Sequence, residues 1–449
     1  MKSNSKLVVS LVMAVLVAAP VLLPSVAQAG GYSNLDFGGR RMGMFAVVGK
    51  PDDVTAVFHN PAGLTLQNGT QIYFALSTFV LDLGMKLYNS KGDLLPADHE
   101  ITPDISIGAI PFIGVATDFG TKRFRAALAI YAPNAYGASL PIDEPTRYHV
   151  TQALFLSTRL TASAAYDFNN YISAGVSLSV LYTYLTATRF LNTGMLPSPA
   201  DVQNDPKYDG RFNSTEANMK NDIQLDIQGS NWTWAFDIGL LVRPVKSLSI
   251  GLVFSSGSKL DLRGNVTAKY RLHIDGREDL LGKTKQTTNM IIPLSIRAGI
   301  NWAIVPNFEV AADVSYWHYQ TNQMQISKLD SPVAGLNGFS DAKNYGNSWN
   351  WCLGILYRPI PELDLMAGYQ MDYTPNPTST LSLENPGVDQ KGFSVGTRWR
   401  INDHWRVSLA YVHNWFNLID VQDSIGTPPA NAKGHGTNNE FAFDFQYRF

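Results

Sequence analysis

Gly392-Phe393-Ser394-Val395-Gly396 spells a nucleophile motif within this 449-residue chain. A serine between glycines at that spacing attacks acyl groups when it sits on a sharp strand-to-helix elbow with a histidine in reach. Here the alternation of apolar and small residues runs on through Phe393, Val395, Thr397, Trp399 and Ile401. That leaves no elbow, and Ser394 reads as a small residue on one face of a strand. His404 falls in a turn and His413 on the aromatic register of a strand, neither beside a plausible nucleophile. The single Cys352 excludes an intramolecular disulfide and, within an apolar-aromatic stretch, reads as a buried thiol. No His/Asp/Glu spacing suggests a metal site, and phosphate-loop and dinucleotide fingerprints are missing, so neither a cofactor nor an enzymatic activity is expected.

The elements that carry these residues point elsewhere. Hydrophobic residues make up 45%, charged residues 16% and aromatics 11%, with 20 Tyr and 22 Phe, and the net charge of −2 gives no reason to expect nucleic acid. Beyond the N-terminus no apolar run reaches the roughly 20 residues that a membrane helix needs. What dominates is period two. Ile172, Ala174, Val176, Leu178, Val180, Tyr182 and Tyr184 alternate with Ser173, Gly175, Ser177, Ser179 and Thr183, Leu181 being the exception. Similar patterns recur from Trp232, Leu248 and Leu363. Each such strand has one greasy face and one small-polar face. A soluble sandwich also alternates, but here the polar positions lack dense Lys and Glu, and Trp and Tyr crowd the ends of the apolar faces, as expected where those faces meet lipid. A membrane-spanning sheet must close, because each unpaired backbone group at an edge costs several kcal/mol.

Short links at 118–121, 167–170, 244–246, 305–307, 359–361 and 402–404 alternate with long polar links at 84–103, 134–147, 190–221, 263–285, 323–345, 374–390 and 420–437. This predicts an all-β, transmembrane antiparallel β-barrel of about fourteen strands, with turns on one rim and loops on the other. Lys2 and Lys6, an apolar core from Leu7 to Ala19, and Ala27-Gln28-Ala29 predict a signal peptide over 1–29 and a mature chain from Gly30. Residues 30–68 are expected to be a separate N-terminal element and 69–449 the barrel. Within the former, Pro51, Asp52 and Asp53 suit the start of a helix that stops at Asn60, before Pro61. Taken alone, that stretch also fits an ordinary cap and turn. The last strand alternates Phe441, Phe443, Phe445, Tyr447 and Phe449 with Ala442, Asp444, Gln446 and Arg448, and looks like the C-terminal signal of bacterial outer-membrane barrels.

Taken together, the chain resembles the long-chain fatty-acid transporter family of outer-membrane proteins (the FadL/TodX type, which includes aromatic-hydrocarbon importers). The resemblance rests on Phe37-Gly38-Gly39-Arg40, the Asp52-Asp53 pair and Asn60-Pro61-Ala62. It continues with Ser230-Asn231-Trp232 leading a strand, Asp261-Leu262-Arg263-Gly264-Asn265 ending one and Met290-Ile291-Ile292-Pro293 entering another. Thr374-Pro375-Asn376-Pro377 and Asn385-Pro386-Gly387 fall in family-like loops. It implies a small N-terminal hatch, carrying Asn60, Pro61 and Ala62, that blocks the lumen. It also implies a pocket above the hatch and a lateral opening where the third strand is kinked. Pro133, Asn134 and Gly137 are the candidates for that kink, the other reading being a plain strand end. Arg189 resembles a family position that touches an anionic head. Counting by twos from Ser173 also puts it on the lumen face, where it could instead serve as a loop-base arginine bonding carbonyls. Lys343 lies near a second cationic contact. Phe190, Leu191, Met195 and Leu196 could form a catching surface or simply pack within their loop. The resemblance thus implies passive import of a hydrophobic small molecule, a fatty acid or, as the runner-up, an aromatic or alkane hydrocarbon. The expected setting is a monomer amid outer-membrane lipid and lipopolysaccharide. An open porin and an adhesin are the alternatives; neither needs the Asn60-Pro61-Ala62 stretch.

Overall fold

The computed structural model describes residues 31–88, 100–103, 107–142, 144–191, 222–270, 280–426 and 428–449. The expected signal peptide, Met195 and Leu196 lie outside them. In chain order the strands are β1 (Gln71–Leu87), β2 (Ile107–Thr117), β3 (Phe124–Ser139), β4 (Gln152–Asp167), β5 (Ile172–Leu191), β6 (Ile223–Val245), β7 (Leu248–Ser255), β8 (Ser258–Tyr270), β9 (Leu280–Ile292) and β10 (Ser295–Val305). They continue as β11 (Phe308–Trp317), β12 (Met324–Val333), β13 (Leu336–Ala342), β14 (Ser348–Ile360), β15 (Leu363–Asp372), β16 (Gln390–Arg400), β17 (Trp405–Phe416), β18 (Ile419–Val421) and β19 (Ala432–Arg448). All belong to one sheet, and β1 pairs antiparallel with both β2 and β19, so the sheet closes on itself.

The wall is a 14-strand antiparallel barrel. β7 and β8 are two halves of one strand, both pairing with β6, and β9 and β10 are likewise two halves of the next. The breaks fall at Gly257, whose φ of +66° favours glycine, and at Pro293, which has no N–H to give a ladder. β12 and β13 form a hairpin on the outer rim that hydrogen-bonds to β9.

Side-chain alternation runs opposite to that of a soluble sandwich. Leu178 is 60% exposed on the outside while Ser177 and Thr183 are 0% exposed inside. Trp232, Trp234, Trp302, Trp351, Trp399 and Trp405 are likewise exposed on the outer surface, forming the aromatic bands that flank a lipid-facing belt. Leu181, out of step in the sequence, is a lumen residue packed with Leu185 and Phe155.

The strands run further than the links suggested. β5 has 20 residues and β6 has 23, against the 9–11 or so that cross a bilayer. Ser230-Asn231-Trp232 therefore lies in the middle of β6, and Asp261–Asn265 in the middle of β8, rather than at strand ends. Much of 263–285 and 323–345 is ladder, not loop. Polar residues do not end a strand once it has left the lipid, because backbone pairing continues in water.

Candidate ligand path through the barrel

Residues 31–66 lie inside the barrel, almost all of them buried. The helix expected from Pro51 is only Ala56–His59, followed by a 3-10 turn over Pro61–Leu66, and a second short helix spans Gly39–Met44. Asp52 and Asp53 are not spent on a helix dipole. Asp53 accepts from Thr55 N at 2.9 Å, and Asp52 takes both guanidinium nitrogens of Arg398 at 2.7 and 3.0 Å. Burial by itself raises the Asp52 carboxyl, but Arg398 and Arg40 outweigh it and hold it well below the usual carboxylate range. Asn60 leaves helical dihedrals before Pro61, as the proline ring demands. Its Oδ1 accepts from Ala62 N at 3.1 Å, and its Nδ2 donates to Val48 O and to Leu240 O on β6, each at 3.1 Å.

The wall receives this segment on glycines. Gly175 faces Gly239 across β5–β6, Gly251 faces Gly299 across β7–β10, and Gly354 faces Gly368 across β14–β15. A Cβ at these positions would overlap Pro61, Asn60, Val48, Gly49 or Met44, so backbone meets backbone where any side chain would intervene. Charges complete the attachment. Arg40 meets Glu309 at 3.0 Å, Lys50 meets Glu309 at 2.5 Å, and Arg398 meets Asp364 at 2.8 Å. Asp313 accepts from Val47 N and Val48 N at 2.6 and 2.9 Å. Sequence reasoning did not single out Arg398, Glu309 or Asp313. The available signal was a charge on the small-polar register of an otherwise greasy strand.

β3 parts from its neighbour. The β2–β3 ladder stops at Phe112–Tyr131, and above that point Ile107–Pro111 pairs only with β1 and Asn134–Ser139 only with β4. Pro111 and Pro133 stand on either side of the parting, each without an N–H to give. A register shift falls between Tyr131 and Asn134. Alternation ceases there: 131–137 are all buried, Gly137 included. The N-terminal segment covers the freed backbone from inside. Asn34 N donates to Pro133 O at 2.7 Å and Ala135 N to Tyr32 O at 3.1 Å, while Ser33 bridges Asn134. Tyr32 fills the space beside the parting, its ring 5.3 Å from Phe155 and 5.2 Å from Tyr319.

Arg189, near the outer end of β5, lies over the Phe339 ring at 4.9 Å. Its Nε is buried without a hydrogen-bond partner, and among the described residues neither a carboxylate nor a backbone carbonyl engages it. Around it lies an apolar cluster including Leu225, Val266, Val333, Leu191 and Phe339. Burial, and then the Arg189 charge, push the His149 imidazole down to about 4, which leaves it uncharged beside the guanidinium. Lys343 is differently placed. It meets Glu384 at 3.4 Å. Burial works against its charge, but Glu384 and neighbouring Tyr345 and Asp341 raise the ammonium above its ordinary range. Lys343 lines a cavity of about 20 Å³ with Tyr32, Tyr136 and Tyr345, and Arg189 is not part of it. Phe190 is buried beside Arg189. Ser394 donates to Gly43 O at 3.1 Å, fully buried against the N-terminal segment, which is a packing role.

A family model described as outer membrane protein transport protein (OMPP1/FadL/TodX) matches residues 21–449. The long-chain fatty acid transport protein of Escherichia coli (strain K12) is 22% identical over 457 residues, which cover 95% of this chain and 98% of the relative. Among solved structures, a Pseudomonas aeruginosa FadL homologue aligns with a TM-score of 0.75 at 16% identity, over 94% of this chain and 100% of its own. The P. putida toluene transporter TodX aligns with a TM-score of 0.69 at 16% identity, over 92% and 98%.

Proposed function

We propose that this chain, which belongs to the outer membrane protein transport family (OMPP1/FadL/TodX) and is an outer-membrane transporter of hydrophobic compounds, imports long-chain fatty acids. One observation carries the choice of ligand: Arg189 is a lumen-side guanidinium with a phenyl ring and apolar neighbours but, among the described residues, no carboxylate. Arg189 is half-buried with its Nε fully so, and leaving such a group unpaired has a cost; a fatty-acid headgroup would supply a counter-ion while each methylene placed among apolar side chains contributes about 0.8 kcal/mol. In this reading residues 30–68 act as the hatch, held at Asn60, Pro61 and Ala62. The ligand leaves sideways where β2 and β3 part at Pro133, Asn134 and Gly137, once Tyr32 and Ser33 have moved. The protein works as a monomer, its closed sheet leaving no edge to share, surrounded by lipid and lipopolysaccharide.

A second reading has its own support. Lys343 is already satisfied by Glu384, so of the two candidate ligand cations only Arg189 has no carboxylate among the described residues, which favours an uncharged aromatic or alkane ligand. Uptake of a radiolabelled long-chain fatty acid and of toluene separates the two, in cells lacking their own transporters and carrying the intact protein or Arg189→Ala at equal surface expression. Fatty-acid uptake that falls in Arg189→Ala is the expected result. Toluene uptake indifferent to the change, without fatty-acid uptake, selects the hydrocarbon reading. Entry of small sugars alone would make the protein an open porin.

A further inference from the structure

At the short-turn rim, the periplasmic side of such barrels, a basin of about 250 Å³ opens beneath the N-terminal segment. Three arginines reach it from adjoining strands. Arg400 on β16, Arg406 on β17 and Arg448 on β19 share the lumen register with Ser394, Ser408 and Asp444. Arg400 and Arg406 are direct cross-strand partners, an arrangement of like charges that destabilises a sheet unless something lies between them.

Among the described residues no carboxylate does so. Two carboxylates line the basin, Asp52 and Asp403. Asp52 is committed to Arg398 through both oxygens, and Asp403 sits in the exposed β16–β17 turn. Arg406 donates only to neutral oxygens, Gln446 Oε1 and Asp52 O. His404 contacts Arg448 through the backbone oxygen, not the side chain. Among the described residues none of the three guanidinium groups has an ion-pair partner. Arg398, two residues before Arg400 on the same strand face, has Asp52 and Asp364. Among the described residues Arg398 is thus held in ion pairs, whereas Arg400 and Arg448, exposed at the rim, and the half-buried Arg406 have none.

We propose that this basin is an oxyanion-binding site, taking the carboxylate or phosphate group of a small molecule from the periplasmic side. Guanidinium groups match both oxyanions with paired, charge-assisted hydrogen bonds, and an anion between Arg400 and Arg406 removes their mutual repulsion. The site stands apart from Arg189, at the opposite rim, and does not rest on the fatty-acid reading.

The test is equilibrium titration of the whole barrel in an uncharged detergent with inorganic phosphate, with octanoate, and with octanol as the neutral control. Arg400→Gln and Arg406→Gln, each confirmed as folded by heat-dependent gel migration, should weaken oxyanion binding about tenfold or more, the loss of one hydrogen bond to a charged group. Arg189→Ala should bind at this rim as the native protein does, so failed import and a failed basin are told apart. Binding of phosphate alone identifies a phosphate ligand, and binding of octanoate but not octanol identifies a carboxylate; either supports the site. Oxyanion affinity unchanged in both glutamine variants, or octanol matching octanoate with no response to phosphate, overturns it.

Discussion

Around the N-terminal segment Arg40, Arg398, Asp52 and Glu309 form a connected set of ion pairs, whereas near the outer rim Arg189 faces a phenyl ring and, among the described residues, no carboxylate. Both regions lie inside one barrel. The lower one pairs its main charges with carboxylates of this chain and sets glycines where the wall and the segment approach closely. In the proposed reading this is how the hatch is held. The upper one gathers apolar side chains around a cation that no carboxylate among the described residues neutralises, as a surface does when it awaits an external partner. In the proposed reading the lower region contributes stability and the upper one ligand selection.

Arg398→Ala should give the largest change. It removes the arginine that bridges Asp52 and Asp364, leaving them to Arg40 at 3.6 Å and Arg358 at 2.7 Å, so the loss should be about 3 kcal/mol, the lower end for breaking a buried pair. Denaturant unfolding in detergent, with protease access to residues 31–66, measures it; a loss under about 1 kcal/mol would mean that the ion pairs do not hold the segment. Gly175→Val should follow. Its side chain would overlap Pro61, and overpacking costs about 1–3 kcal/mol. The segment should be displaced, and ion conductance in planar bilayers should rise above that of the native barrel. Unchanged conductance would place the seal elsewhere. The smallest effect on folding belongs to Arg189→Met, within about 0.5 kcal/mol because no partner is left behind, although fatty-acid uptake should fall. A large loss of stability there would erase the distinction between the two regions.

The barrel itself was legible from the chain. Side chains alternate across a strand by backbone geometry alone, so the greasy register around Leu178 and the small register around Ser177 named outside and inside in advance. Alternating short and long links fixed the number of wall strands for the same local reason. Pro133 marked the place where β3 leaves its neighbour, since a missing N–H is a property of the residue and not of its surroundings. Other features had no local signature. Gly39–Met44 is helical despite its two glycines because the barrel wall encloses it, which propensity does not encode. Asp52 looked like a helix cap until closure brought Arg398, 346 residues away, within hydrogen-bond distance. Gly175 and Gly239 read as small lumen residues, and only the seated segment shows that they are contact points. Sequence determines which face each residue takes, because that is settled within two residues. Closure and register decide which residues meet across the lumen, because those partners are hundreds of residues apart and nothing in the neighbourhood of either one names the other.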